Sequence, residues 1–150
     1  NQQEYISNVV LEIQSSDGSS QTVDWDISEQ NTQSINLKAN SDYKVEISFL
    51  NNSDPSDVEN ITLEVIEEAD EHQVFYEFAS VSVNVTSAND DTKEGSRGVL
   101  IKSVWNASAS GSGTARVYLI HQPTNFNATT REGMGGFNDV SIDIPITITD

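Results

Sequence analysis

Asp42-Tyr43-Lys44-Val45-Glu46-Ile47-Ser48-Phe49 alternates polar and apolar residues without a break. A period of two belongs to a half-buried strand, whose successive side chains point to opposite faces of a sheet. Tyr43, Val45, Ile47 and Phe49 therefore share a core face, while Asp42, Lys44, Glu46 and Ser48 face the other way. The same period recurs on both sides of this stretch. Upstream, Val9, Leu11 and Ile13 form one strand; residues 22–26, with Trp25, form a short second strand after the Asp17-Gly18 turn; Ile35 and Leu37 form a third. Downstream, a turn cluster at residues 51–57 precedes Ile61, Leu63 and Val65, read as a fifth strand. Val74, Tyr76 and Phe78 then share one phase and Val81, Val83 and Val85 the other, so the period slips at Ala79-Ser80. Since a one-residue slip sends every later side chain to the opposite face, a bulge or a corner between sheets is expected there.

Val99, Ile101 and Trp105, then Ala115, Val117 and Leu119, and finally Val140, Ile142, Ile144, Ile146 and Ile148 complete the strands. Pro145 points outward and has no N–H to donate, which predicts an edge strand. No helical period of useful length is present. The fold class expected is all-β: a two-sheet Greek-key sandwich of immunoglobulin-like character with about eight or nine strands. Residues 1–150 make a single domain, long enough to bury a core without disulfides, and the chain has no cysteine.

Twenty-four acids against seven bases give a formal charge of −17, which repels phosphate backbones and anionic lipid surfaces, so nucleic acid is not an expected partner. No run of 18 apolar residues could span a membrane. Residues 67–78, EEADEHQVFYEF, crowd Glu67, Glu68, Asp70 and Glu71 into one turn beside His72. Like charges so close need donors or cations, and the His72 imidazolium and the backbone N–H groups of the turn are the nearest. If His72 serves this way, its pKa is raised on folding.

The two histidines, flanked by Glu71 and Gln122, invite a metal site. Counting strands that alternate in direction, however, puts His72 at the start of the sixth and His121 at the end of the eighth, at opposite ends of the sandwich. A shared ion is therefore not expected, and each reads as a rim histidine bonded to a nearby turn. The same count gathers residues 51–57, 87–97 and 122–138 at one end, the default binding surface; the last of these loops is long, as functional loops often are. Glu71, His72, Gln73, Tyr76, His121 and Gln122 are the candidate ligand or partner residues. Asp90, Asp91 and Glu94 could supply oxygens to calcium, though without the pattern of a full EF-hand loop, and solvated loop acids are the plainer reading. No other cofactor is expected. Trp25 and Trp105 suit either a sugar-stacking platform or the core. No catalytic residue is expected, because the histidines lack the spacing of a base and nucleophile and no phosphate loop or HExxH pattern exists.

Three pieces of the chain are together similar to a known group. Glu67, Glu68, Asp70, Glu71, His72, Gln73, Phe75 and Tyr76 resemble an acidic EHQ-x-FY segment; Leu119, His121, Gln122 and Pro123 resemble L-x-HQP; Gly135, Gly136, Asp139 and Val140 resemble a Gly-Gly approach to a last strand. The resemblance is to small surface or periplasmic lipoproteins of flavobacteria and related Bacteroidota, often labelled "type 1 periplasmic binding domain-containing". That label implies alternating strands and helices, whereas the period here is that of strands. The group's D-G-D-G and D-x-D-x-N-G stretches correspond here to Asp26-Ile27-Ser28-Glu29 and to Asp90-Asp91-Thr92-Lys93-Glu94-Gly95. The resemblance implies a signal peptide, a lipidated cysteine and a tether ahead of the polar opening Asn1-Gln2-Gln3-Glu4, hence a cell-envelope, outer-membrane-anchored protein on the surface or periplasmic face. It further implies a non-catalytic binding or accessory domain serving a TonB-dependent outer-membrane receptor, with membrane contact only through the anchor. The alternatives are a structural subunit of a surface layer or appendage, and a metal- or glycan-binding module.

Overall fold

A computed structural model describes residues 5–29 and 31–150. The polar opening at residues 1–4 lies outside the described residues. The strand around which the sequence was read, β4 (Asp42–Asn51), buries Tyr43, Val45, Ile47 and Phe49 and exposes Asp42, Lys44 and Glu46. Beside it in the first sheet lie β1 (Asn8–Ser15) and β2 (Ser20–Asp26) on one flank, and β10 (Lys102–Ala107) and β7 (Val83–Ser87) on the other. The short β5 (Glu59–Asn60) extends the end of β4. The second sheet has the order β3 (Ile35–Lys38), β12 (Phe137–Thr149), β11 (Gly111–His121), β6 (His72–Ala79). A hairpin of β8 (Lys93–Glu94) and β9 (Arg97–Gly98) stands apart.

The chain is an all-β sandwich, and its two sheets share one hydrophobic core. The order β1-β4-β10-β7 facing β6-β11-β12 reproduces the ABED and CFG sheets of an immunoglobulin domain, in the same order along the chain. β2 and β3 are additions, one at each sheet's end, with β3 parallel to β12. Trp105 lies fully buried between the sheets, with Tyr76 and Phe78 edge-on to it at 5.0 and 5.3 Å. Trp25 packs half-buried against the same core, so both tryptophans are core residues rather than an exposed platform.

The slip at Ala79-Ser80 is a corner between sheets: β6 belongs to one sheet and β7 to the other, with Ser80 at φ 69° between them. Two expectations need correction. The apolar triplet Ile61, Leu63, Val65 is not a strand, because residues 62–67 form helix α1 (Thr62–Glu67). Ile61 and Val65, four apart, are buried, while Leu63 is 63% exposed, which is a helical and not an alternating placement. Alternation at i, i+2 and i+4 contains the helical i, i+4 pair within it, so three residues could not tell the two apart. Pro145 does point outward, yet β12 is an edge only over its first part, since β3 pairs with Ile146 to Thr149.

The sandwich has unequal ends. One carries only short turns, at residues 16–19, 39–41, 80–82 and 108–110. The other carries residues 52–71, 88–101 and 122–136, with α1, a 3₁₀ turn (Ala69–Glu71), the β8–β9 hairpin and a second short helix, α2 (Arg131–Met134). The loops at residues 51–57, 87–97 and 122–138 thus do share one end, as the strand count required.

Candidate functional site

At the loop end, His72 begins β6 and His121 ends β11, and the two are direct cross-strand partners. Their rings stack with centroids 4.9 Å apart at 29°. The expectation that they lie at opposite ends is therefore wrong. The strand count runs through the corner expected at Ala79-Ser80 and takes residues 74–85 as one strand; β6 and β7 are two, and the extra one reverses the count between the histidines, so that β6 and β11 run antiparallel. The reading as a rim histidine bonded to a nearby turn fits His72, through the Glu68 carbonyl, and not His121, whose Nε2 has no hydrogen-bond partner among the described residues; both share the phase of their strand's core residues.

A third residue joins them that the sequence reading did not select as a site residue. β12 pairs with β11 as Leu119↔Val140 and then Ile120↔Asn138, so Asp139 is the extra residue of a β-bulge. Bulges re-aim side chains. Here the Asp139 carboxylate is directed at the histidines, its Oδ2 3.5 Å from His72 Nε2 and 3.6 Å from His121 Nδ1. The approach to this bulge requires glycine: Gly136 has φ 72°, and a Cβ on it would meet the His121 carbonyl oxygen at 2.6 Å. Gly136 is thus what lets β12 start so close to the end of β11, while a Cβ on Gly135, at φ 68°, would meet the Thr124 side chain.

The cluster is largely withdrawn from water, with side-chain exposures of 7% for His72, 16% for His121 and 8% for Asp139. His72 Nδ1 lies 3.0 Å from the Glu68 carbonyl oxygen. A carbonyl only accepts, so Nδ1 carries the proton and Nε2 faces Asp139. Burial by itself pulls the His72 pKa down, but the Asp139 carboxylate, the Glu68 carbonyl and the Glu68 charge outweigh it and the pKa is raised. The expected direction is right and the partners only in part: of the crowded acids Glu68 acts on His72, through its charge and its carbonyl, and the other partner is the distant Asp139.

The neighbouring candidates brace this cluster. Gln122 donates from its backbone N–H to the Glu71 carbonyl at 2.7 Å and from its side chain to Glu71 Oε1 at 3.2 Å, joining β11 to the 3₁₀ turn. Gln73 is buried; its amide donates to the carbonyls of Val74, Gly98 and Val99, and its oxygen accepts from Arg97 at 2.7 Å. Arg97 also donates to the carbonyls of Ala69 and His72 and lies 3.9 Å over the Phe126 ring. That one guanidinium ties the β8–β9 hairpin to the long loop and to the turn before β6. Tyr76 belongs to the core, where burial pushes its hydroxyl pKa up.

Asp90, Asp91 and Glu94 do not converge. Asp90 is exposed and answered by Lys44 at 2.7 Å and Lys102 at 3.5 Å, and the Lys44 bond holds its carboxyl below the usual range. Asp91 is buried and accepts from the Ser87 hydroxyl and from the backbone N–H groups of Leu100 and Lys102. Glu94 faces solvent in the hairpin. Among the described residues, the group of three or more potential ligands close enough to share an ion is His72, His121 and Asp139, with one ligand atom from each lying within 4.8 Å of the others. In comparisons with protein-family models, curated proteins and solved structures, nothing matches this chain.

Proposed function

We propose that this domain is a non-catalytic binding module of the cell envelope whose binding face is the loop end of the sandwich. The observation that carries the reading is the convergence there of β6, β11 and the β12 bulge on one buried histidine–carboxylate cluster, beneath loops that Arg97 and Phe126 hold together. Polar groups withdrawn from water cost stability unless a partner answers them, so such a cluster suits recognition better than scaffolding. Neither histidine is hydrogen-bonded to a hydroxyl among the described residues, which favours binding over nucleophilic catalysis. The envelope setting, a lipid anchor and an outer-membrane receptor partner rest on the resemblance of the EHQ, HQP and Gly-Gly segments.

The test is a thermal-shift panel of metal ions, haem and oligosaccharides run with hydrolase assays and size-exclusion chromatography. A saturable shift from one ligand class, removed by His121→Ala at the loop end and kept by Asp17→Ala at the short-turn end, supports the module. Turnover of a panel substrate would sink it. A second reading, a subunit of a surface assembly, draws on β6 and β7, which end their sheets beside a cavity of about 330 Å³ lined by Phe75, Phe78, Val83 and Val85. Polymers that form through these edges would favour that reading instead.

A further inference from the structure

We propose that His72, His121 and Asp139 form a site for a divalent transition-metal ion of the zinc class, which staples both ends of the 122–138 loop to the start of β6. The inference deepens the binding-module reading and rests on it. Its first support is distance. A hydrogen bond between imidazolium and carboxylate closes to about 2.7–2.9 Å, whereas the two nitrogens stand 3.5 and 3.6 Å from the same carboxylate oxygen. Two ligands each about 2.0–2.1 Å from a tetrahedral zinc stand about 3.3 Å apart. These two spacings are closer to those of neighbours on an ion than to hydrogen bonds, and an ion would draw in the three ligand atoms, which lie within 4.8 Å of one another.

The second support is orientation. Metal-binding histidines commonly donate their other N–H to a carbonyl or carboxylate, which sets the tautomer and aims the lone pair. His72 does this through Nδ1 to the Glu68 carbonyl. On His121 the nitrogen 3.6 Å from Asp139 is Nδ1, so the buried Nε2, which has no hydrogen-bond partner among the described residues, is the outer nitrogen, and the orienting bond is met at His72 alone.

The ligand set chooses the metal. Two imidazoles with one carboxylate suit zinc, copper, nickel or iron, while calcium and magnesium prefer sites made of oxygen. Three protein ligands leave a fourth tetrahedral position for water or for a donor from a bound molecule. His121 and Asp139 flank the long loop on either side, and His72 lies on another strand, so an ion would close three segments at one point.

The experiment titrates zinc and cobalt into chelator-stripped full chain, reading stoichiometry by calorimetry, cobalt geometry by visible absorption and stability by melting temperature. One ion per chain is expected, with a tetrahedral cobalt spectrum and a melting temperature that rises with metal and falls back with chelator. His121→Ala and Asp139→Asn, shown folded by circular dichroism, should weaken zinc on the order of a hundredfold or more, beyond the roughly 10–100-fold effect of outer partners. Asp90→Asn with Glu94→Gln should bind as the wild type does. Absence of stoichiometric binding, or binding unchanged in His121→Ala and Asp139→Asn, would overturn the site. If no metal binds while another panel ligand still seats at the loop end, this proposal falls and the binding module stands.

Discussion

Two carboxylates at the same end of the sandwich, Asp91 and Asp139, show how differently a withdrawn acid can be used. Asp91 lies in the 88–101 connection with both oxygens filled: the Ser87 hydroxyl and the Leu100 N–H on one, the Lys102 N–H on the other. Those donors come from the chain that the carboxylate must hold, so it organises the crossing between β7 and β10 much as a cap organises a helix end. Asp139 instead faces two imidazoles, at distances longer than good hydrogen bonds. An acid surrounded by backbone N–H groups is structural, whereas one facing stacked histidines keeps coordination capacity. Local acid density distinguishes neither, since Asp91 follows another acid and Asp139 has none beside it.

Substitutions should separate the two regions. The frame they share sets the largest effect: Trp105→Ala, removing the fully buried ring against which Tyr76 and Phe78 pack, should cost about 3–5 kcal/mol in urea denaturation or abolish folding. Next comes Asp91→Ala. Stranding three donors in a buried crossing should cost about 3 kcal/mol, equally with chelator or with zinc; a loss that zinc changes would place a ligand role on Asp91. His72→Ala should cost only about 1 kcal/mol in chelator, the scale of one hydrogen bond to Glu68.

That smaller loss should depend on pH. The His72 pKa is raised on folding, so its contribution is fully present below the unfolded value, about 6.5, and disappears as pH rises through the higher folded value. Denaturation of metal-free wild type and His72→Ala at pH 5.5 and pH 9 should show a wider gap at the lower pH. Equal gaps would mean that Asp139 does not act on this ring. Glu94→Gln, on the exposed strand β8, should move stability by no more than about 0.5 kcal/mol.

The sandwich was legible because its evidence is periodic. β1, β4, β11 and β12 each bury alternate residues over most of their length, and even the corner at Ser80 left its mark as a change of phase. Ile61, Leu63 and Val65 misled because three apolar residues are too few to choose between periods of 2 and 3.6. The misreading of the histidines came from counting: direction accumulates strand by strand, so counting residues 74–85 as one strand across the corner set His72 and His121 at opposite ends, while the strand wrongly counted at residues 61–65 offset this for the later loops.

Composition and alternation by themselves determined an acidic all-β chain, its core faces and the end at which its long loops gather, because each depends on local side-chain direction summed along the backbone. Only the tertiary structure decided that His72, His121 and Asp139 meet. Their meeting depends on which strands become neighbours, on a bulge that turns Asp139 toward them, and on the close approach that Gly136 permits. Contacts between residues so far apart in sequence have no period for a sequence to display, and they exist only once the sheets have closed.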